Sequence, residues 1–284
     1  MKPLPVPFDV VVMVVSTVLG ALYGRRLYKR GLRLSLKTDA RQARLLTIVC
    51  PSAICVCFAF MFAENYPRIF WYLPPSVDYH GIRVAWAVIL LTVGLMFGAV
   101  GYLAGKQSRR AVWAVLVGCA VVFGVGEWAI QNSIFFTMPE MQSSRIDENG
   151  VVRQTSGSTC AAAACANVAR AYGVKKTERE MVDLLGSTDN GTSTGQIIYG
   201  MRRLGFECRK RRIIDGDFTT LNAPALLFVT FGNLPLGHAV SYMGCKDGKA
   251  EIWNPQSGKQ FLTREQLSQI WLGHAVEVRK AGQE

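Results

Sequence analysis

The stretch QTSGSTCAAAACANVARAYG, residues 154–173, places one cysteine at the start of an alanine-rich run. Ser158 and Thr159 are of the residue types that precede helices, alanine is the strongest helix former, and the closing glycine suits a helix C-terminus. The pattern therefore predicts a helix with Cys160 in its first turn. The small side chains at positions 161–164 favour close packing of this helix against a sheet.

The rest of the C-terminal half predicts an α+β domain. Three capping signals predict short helices that begin at Thr177, at Ser193 or Thr194, and at Thr263, and that end near Gly186, Gly205 and Leu272. β-Branched and aromatic residues predict strands over residues 206–214, 224–231, 238–245, 249–254 and 275–278. Most of the helices precede a set of hairpin-linked strands, which predicts an antiparallel sheet.

The position of Cys160 suits nucleophilic chemistry. A thiol attacks a carbonyl group as the thiolate, and a helix N-terminus with a nearby imidazolium favours that negative charge, so we expect a lowered pKa for Cys160. His238 is the candidate partner because it begins an apolar strand, whereas His80 lies between predicted membrane spans and His274 follows the sequence WLG.

Asn254 and Gln154 complete the candidate site. If residues 238–245 and 249–254 pair as a hairpin, His238 and Asn254 meet at its open end. The side-chain oxygen of Asn254 would then hold the imidazole tautomer that a Cys-His-Asn site requires. The amide N–H of Gln154, with the backbone N–H of the cysteine, suits an oxyanion hole.

Several short motifs in register resemble a known family. They are a glutamine separated by five residues from a helix-starting cysteine, a helix ending in Tyr-Gly, GTS leading into LGFE, a Gly-His strand, an Asn-Pro strand end and a closing WLG. Together they resemble the bacteriocin-processing, double-glycine-leader cysteine peptidase family, a papain-like group, over residues 153–280.

The resemblance implies a papain-like fold and a role for each site residue. Cys160 would be the nucleophile, His238 the general base and acid, Asn254 the orienting residue and Gln154 the oxyanion donor. The family usually has Gly after its cysteine, where this chain has Ala161, and usually Asp at the orienting position. Its best-known members are attached to ABC transporters and work on the cytoplasmic side, whereas this chain has no Walker motif.

The N-terminal half is rich in long apolar segments. Residues 45–63 and 84–105 carry no charge over 19 and 22 positions, each enough to cross a membrane as a helix. With two further segments, the sequence predicts four transmembrane helices at about 8–27, 45–63, 84–105 and 111–130. The first is predicted to stay uncleaved, because it lacks a small-x-small site and Arg25 and Arg26 follow at once.

The distribution of basic residues predicts the topology. They crowd between the first two spans and recur as Lys106, Arg109 and Arg110 between the third and fourth, so these loops should be cytoplasmic. The loop 64–83 should then lie outside, with an aromatic belt of Tyr66, Phe70, Trp71 and Tyr72. This placement predicts an integral protein of a bacterial-type inner or plasma membrane whose peptidase domain is extracytoplasmic.

Three regions are therefore expected: a membrane domain over 1–130, a linker over 131–152 and a cysteine peptidase-like domain over 153–284. The formal net charge of +12 is concentrated in the first half, where topology explains it, so we expect no nucleic-acid partner. We also expect no metal and no cofactor, since the sequence has no CxxC motif or histidine cluster. The expected partners are a peptide or protein substrate and the lipid bilayer, while any membrane or secretion partner is unknown.

The predicted activity is hydrolysis of peptide bonds by a membrane-anchored cysteine peptidase. One alternative is an amidase or acyl transferase that acts on a non-protein substrate of the cell-wall type. Another is a catalytically inactive, membrane-bound binding or sensor module. Two smaller questions stay open, namely whether Cys208 and Cys245 form a disulfide, and whether residues 209–212 are a solvated strand edge or a contact for an acidic substrate or lipid headgroup.

Overall fold

A computed structural model describes residues 6–31, 49–63, 71–106, 141, 145–214, 216–231 and 234–282 of the chain. The chain forms two compact units. One contains residues 3–64 and 80–132, and the other contains residues 1–2, 65–79 and 133–284.

The first of these units contains helix α1 (Val6–Lys29), helix α2 (Cys50–Ala63) and most of helix α3 (Pro75–Gly105). Within the described residues, two segments are long and apolar enough to cross a membrane, Val11–Lys29 and Val84–Gly105. They coincide with the first and third predicted spans. The second predicted span overlaps α2, a helix of 14 residues, and the fourth lies outside the described residues. The structure thus contains two candidate spans among the four that were predicted.

Helices α1 and α3 pack closely through four glycines. A Cβ atom on Gly20 or Gly24 would lie within 3 Å of the α3 backbone, and one on Gly94 or Gly98 would lie within 3 Å of α1. Each helix therefore has a Gly-xxx-Gly spacing, which places small residues on one face and allows membrane helices to approach closely.

The other unit begins with a short hairpin and three helices: strand β1 (Arg145–Ile146), strand β2 (Val152–Arg153), helix α4 (Cys160–Ala171), helix α5 (Glu178–Leu185) and helix α6 (Thr194–Arg203). The remaining strands and helix α7 follow in the order β3 (Phe206–Arg212), β4 (Ala225–Phe231), β5 (Leu234–Lys246), β6 (Lys249–Asn254), β7 (Gly258–Leu262), α7 (Arg264–Ile270) and β8 (Trp271–Lys280).

Strands β3 to β8 form one antiparallel sheet in the order β3-β8-β4-β5-β6-β7. Neighbouring residues along β4 pack into different cores: Leu226 lies in the core under α4, α5 and α6, and Leu227 lies in the core under α7. This alternation is expected of a sheet covered on both faces. The α+β fold with an antiparallel sheet confirms the prediction from the order of elements.

Helix α4 is buried on all sides, which explains its alanines. Every residue from Ala161 to Ala169 is at most 4% exposed. The Ser241 hydroxyl on β5 donates to the Ala164 carbonyl at 2.9 Å, so the helix lies directly on the sheet. Larger side chains at these positions would force the two apart.

The capping signals correctly predicted three helix N-termini, whereas one helix C-terminus and three strands differ from the prediction. Thr177, Ser193 and Thr263 each form a capping box with the residue three positions later. The last helix, however, covers Arg264–Ile270, because residues 271 and 272 join β8. Strand β7 and the hairpin of β1 and β2 were not predicted, since these strands are short, and all of the hairpin except Arg153 lies in the segment assigned to a linker.

Residues 71–79 pack on the α+β unit and are part of it. Trp71 is buried, with its ring stacked on that of His274 at 4.3 Å between centroids and 7° between planes. It also meets Phe228 edge to face. Lys210 donates to the carbonyl oxygens of Trp71 and Leu73. The expectation that Trp71 belongs to a membrane aromatic belt is therefore wrong, because the sheet provides the apolar contact that the ring requires.

The same segment reaches the N-terminus of α6. The Asp78 carboxylate accepts from the backbone N–H of Gly195, and the Tyr79 ring stacks on Tyr199 at 4.3 Å. A Cβ atom at position 195 would lie 2.7 Å from the Tyr79 backbone nitrogen, so only glycine permits this approach. Arg212 donates to the Tyr72 hydroxyl at 2.6 Å. Residues of the basic stretch 209–212 thus hold residues 71–73 rather than forming only a solvated edge.

Cys208 and Cys245 are free thiols. They lie on β3 and β5, and β8 and β4 lie between those strands. Three strand spacings of about 4.8 Å put them about 14 Å apart, too far for a disulfide.

Candidate active site

Cys160, the predicted nucleophile, is the first residue of α4. Thr159 occupies the N-cap position but does not cap the helix. Its hydroxyl instead donates to the Ser156 carbonyl at 3.0 Å and accepts from the Ser156 N–H at 3.2 Å. The first N–H groups of a helix have no partner within the helix, so those of α4 remain available to a negative charge near Cys160.

The sulfur of Cys160 lies beside strand β5. The backbone N–H groups of Ala239, Ala161 and Cys160 itself lie close enough to the sulfur to favour its negative charge. Ala239 directly follows His238, so the strand that carries the histidine borders the thiol. This contact places strand β5 beside the first residue of α4, although the two lie far apart in sequence.

Burial raises the pKa of the Cys160 thiol, although the three N–H groups act in the opposite direction. The expectation of a lowered pKa is therefore wrong for the free protein. Desolvation disfavours the thiolate, and here its effect exceeds that of the helix N-terminus. The thiol is thus protonated at neutral pH, and attack requires a base to remove its proton.

His238 is buried and meets Asn254 as predicted. Strands β5 and β6 pair as a hairpin, with Ser241 opposite Trp253, and Nε2 of His238 lies 2.9 Å from Oδ1 of Asn254. Burial lowers the pKa of His238, and the bond to Asn254 opposes this effect. The imidazole is therefore neutral at neutral pH, the state in which it can act as a base.

The backbone of Gln256 identifies which atom of the Asn254 amide faces the histidine. The Gln256 N–H donates to Oδ1 of Asn254 at 2.9 Å, so this atom is an acceptor, the oxygen. Nε2 of His238 must then carry the hydrogen of the neutral ring. Nδ1 consequently has the lone pair. In this tautomer the imidazole can accept a proton at Nδ1.

Gln154 is held next to both Asn254 and α4. Its backbone N–H donates to the Pro255 carbonyl at 3.0 Å, and its Nε2 donates to the Ser156 carbonyl at 3.0 Å. An amide nitrogen has two hydrogens, so one remains for another acceptor. Its Oε1 is buried and has no hydrogen-bond partner in the part of the chain that the structure describes.

Residues 148–283 match the sequence profile of the Peptidase C39 family. We refer to these residues as the C39 domain. The chain is also similar to an uncharacterized protein of Methanothermobacter marburgensis, with 27% identity over 137 residues, 48% of this chain and 93% of that protein. A second uncharacterized protein, from Methanothermobacter thermautotrophicus, is 25% identical over 140 residues, 49% of this chain and 95% of its own.

Among solved structures, the chain is similar to the peptidase domain of Streptococcus ComA, described as a bi-functional ABC transporter involved in quorum sensing. The identity is 23%, the match covers 45% of this chain and 96% of that one, and the TM-score is 0.42. A double glycine motif protease from an AMS/PCAT transporter, in complex with its leader peptide, is 19% identical. That match covers 49% of this chain and all of the other, with a TM-score of 0.42.

Two buried polar residues of the C39 domain support the candidate site and were missed in the sequence. Asn167 in α4 accepts from the Val152 N–H at 2.7 Å and donates to the Val152 carbonyl at 3.1 Å. Glu178 accepts from the backbone N–H and the hydroxyl of Thr155, both at 2.8 Å. Gln154 therefore lies between two anchored residues. Neither Asn167 nor Glu178 stood out, because a polar residue in a helical segment is usually exposed.

Proposed function

We propose that the chain is a membrane-anchored cysteine peptidase whose C39 domain hydrolyses peptide bonds with Cys160, His238, Asn254 and Gln154. The tautomer of His238 is the observation that carries this proposal. Oδ1 of Asn254 accepts from both Gln256 and His238, which leaves Nδ1 as the basic nitrogen of the His238 ring. The backbone N–H of the next residue, Ala239, lies beside the Cys160 sulfur. The match of residues 148–283 to the Peptidase C39 family supports a peptide or protein as the substrate.

In the proposed reaction, the Cys160 sulfur attacks the carbonyl carbon of a peptide bond while Nδ1 of His238 takes the thiol proton. Gln154 and the Cys160 backbone N–H donate to the resulting oxyanion. The carbon–nitrogen bond then breaks, and the imidazolium gives its proton to the leaving amine. Water attacks the thioester with His238 again as the base, which releases the acid and restores the thiol.

The raised pKa of Cys160 favours this base-assisted route over a resting thiolate-imidazolium pair. A neutral thiol and a neutral imidazole form the resting state, and proton transfer accompanies attack. Burial also disfavours the negative charge of the oxyanion. The hydrogen-bond donors of the oxyanion hole are therefore needed to stabilise the transition state.

The membrane part of the proposal keeps the predicted arrangement. Four transmembrane helices at about 8–27, 45–63, 84–105 and 111–130 would form a domain over 1–130, with a linker over 131–152. The C39 domain, predicted over 153–284, would be extracytoplasmic. Two candidate spans and their Gly-xxx-Gly contact support the anchor, and the basic loops support the orientation. A reporter fused after residue 284 that is active only in the cytosol should be inactive, and its activity would refute the orientation.

The peptidase activity is testable with the full chain in detergent. Purified wild type is incubated with a proteome-derived peptide library and compared with Cys160→Ala and with Cys245→Ala, in which an exposed cysteine is removed. We expect cleavage by wild type and Cys245→Ala and none by Cys160→Ala. Cleavage that persists in Cys160→Ala would refute the mechanism. Turnover of cell-wall-type acyl substrates without peptide cleavage would instead support an amidase or acyl transferase.

A further inference from the structure

Arg153 contacts the turn that follows Asn254. Its Nε donates to the Pro255 carbonyl at 3.0 Å, and its Nη2 donates to the Gln256 carbonyl. The guanidinium thus holds two successive carbonyl groups with two nitrogens of one planar group. This fork geometry is specific to arginine.

The held turn determines where the Asn254 side chain points. Because the Gln256 N–H donates to Oδ1 of Asn254, the orientation of this peptide group fixes the amide oxygen that His238 binds. A chain of hydrogen bonds therefore runs from Arg153 through the turn to the imidazole. If the turn rotated, the Gln256 N–H would no longer hold Oδ1 of Asn254 toward His238. The histidine would then lose the acceptor that selects its tautomer.

The same arginine is connected to the oxyanion side of the site. The Pro255 carbonyl that accepts from Arg153 also accepts from the backbone N–H of Gln154, the next residue in the chain. One carbonyl group therefore receives two donors from adjacent residues. This arrangement fixes the distance between the backbone of Gln154 and the turn after Asn254.

The surroundings of Arg153 are shaped to hold the guanidinium in place. Asp147 forms an ion pair with its Nη1 at 3.3 Å, and the other oxygen of Asp147 accepts from the N–H groups of Asn149 and Val151. Gly258 has a φ of +92°, and a Cβ atom there would lie 2.8 Å from Nη1 of Arg153. Asp147 therefore holds the guanidinium while its own position is fixed by the backbone. The space that the guanidinium occupies is open only because residue 258 is a glycine.

We infer that Arg153 is a positioning residue, which ties the turn after Asn254 to the segment after β2 that contains Gln154 and so sets the geometry of both halves of the site. The inference rests on the proposed peptidase function. Arg153 does not contact the reacting atoms, so it acts through Asn254, His238 and Gln154. Its loss should therefore reduce kcat more than it changes KM.

The test uses the full chain in detergent with Arg153→Ala and Arg153→Lys. Arg145→Ala is the matched control, because Arg145 is exposed and lies opposite Arg153 in the β1–β2 pair. For each variant, kcat and KM are measured on a cleaved peptide, with and without added methylguanidinium. The alkylation rate of Cys160 by iodoacetamide at pH 7 and the unfolding midpoint are measured in parallel.

We expect kcat of Arg153→Ala to fall by about 10- to 100-fold, with KM within about twofold, as for other groups that orient a catalytic residue. Methylguanidinium should restore part of the loss, since it can occupy the space left by the side chain, whereas a general loss of structure would not be rescued. Arg153→Lys should keep the charge but lose about 10-fold in kcat, because an ammonium group lacks the planar fork. Arg145→Ala should match wild type.

Wild-type kcat in both folded Arg153 variants would overturn the inference. Arg153→Ala could also lower the unfolding midpoint. In that case Arg153→Lys and the rescue decide: the inference is overturned if the decrease in kcat of Arg153→Lys only follows its folded fraction and methylguanidinium restores no activity. Cleavage by Cys160→Ala, or no cleavage by wild type, would refute the proposed function instead. In that case the alkylation rate of Cys160, which needs no substrate, still tests the positioning role of Arg153. An equal rate in wild type and folded Arg153→Ala would overturn that role.

Discussion

Nε2 of His238 lies 2.9 Å from Oδ1 of Asn254, an oxygen that the backbone N–H of Gln256 also binds. An aspartate at position 254 would accept from the histidine whatever the backbone does, because both of its oxygens are acceptors. An asparagine has one acceptor and one donor, so it needs a second contact to present the correct atom. The turn after Asn254 provides that contact, which explains how an asparagine can present its oxygen to His238.

Replacement of Asn254 should separate orientation from charge. In Asn254→Ala the histidine loses its acceptor, so we expect kcat to fall by about 100-fold, within the range for general acid–base catalysis. Asn254→Asp keeps an acceptor and should retain kcat within about 10-fold. Steady-state cleavage of a peptide substrate measures both. Equal kcat in wild type and Asn254→Ala would contradict an orienting role.

The pH dependence of cleavage should follow the lowered pKa of His238. The base is active when neutral, so kcat/KM should rise with pH through a midpoint below the ordinary histidine value of about 6.5. Asn254→Asp places a negative charge beside the ring, stabilises the imidazolium and should move the midpoint to higher pH. Profiles of kcat/KM between pH 4 and 9 provide the comparison. A wild-type midpoint above 7 would show that burial does not control this group.

The same shift predicts how stability depends on pH. The folded state binds the histidine proton less tightly than the unfolded chain, so the free energy of unfolding should decrease as pH falls below about 6.5. Denaturant unfolding at several pH values between 5 and 7 would measure this slope. His238→Gln should have a smaller slope in that range, and an unchanged slope would contradict the assignment to His238.

Gln154 should contribute to catalysis through the transition state alone. Gln154→Ala removes one oxyanion donor, so we expect kcat to fall by about 100- to 1000-fold with little change in KM. Gln256→Ala is a control because the exposed side chain is lost while its backbone N–H remains. A variant of Gln154 that raises KM at constant kcat would indicate substrate binding instead of oxyanion stabilisation.

The helix of Cys160, the capping boxes and the hairpin of β5 and β6 could be predicted because each depends on residues close in sequence. The approach of His238 to Asn254 followed from the hairpin for the same reason. The pKa of Cys160 could not be predicted in this way, since it depends on burial by a distant strand. A helix N-terminus is visible in the sequence, but the desolvation that outweighs it is not.

Contacts from distant parts of the chain explain the other differences. Glu178 follows a helix cap, where an acid is usually exposed, yet it is fully buried because Thr155 supplies two donors. Trp71 lies in an aromatic loop between apolar segments, a pattern typical of a membrane interface, yet it packs on His274. In both cases the partner lies far away in sequence, so no local pattern distinguishes the two environments.

Asn167 should be important for stability because its amide satisfies both backbone groups of Val152 inside the core. Asn167→Leu would leave a buried N–H and a buried carbonyl without partners, which we expect to lower the free energy of unfolding by about 2 to 5 kcal/mol. Asn149→Leu, at an exposed turn, should change it by less than about 0.5 kcal/mol. Urea unfolding followed by circular dichroism measures the difference, and similar values for the two variants would contradict the role of Asn167.

Trp71 should stabilise the C39 domain although it precedes the family match by many residues. Trp71→Ala would remove the stack on His274 and the contact with Phe228 and leave a cavity, so we expect a loss of about 3 to 5 kcal/mol in the free energy of unfolding. Tyr72→Ala is the matched control, because the Tyr72 side chain is exposed and its loss should cost less than about 1 kcal/mol. Chemical unfolding of the full chain, monitored by circular dichroism, compares the two. If Trp71→Ala were no less stable than Tyr72→Ala, residues 71–79 would not be an integral part of the folded domain.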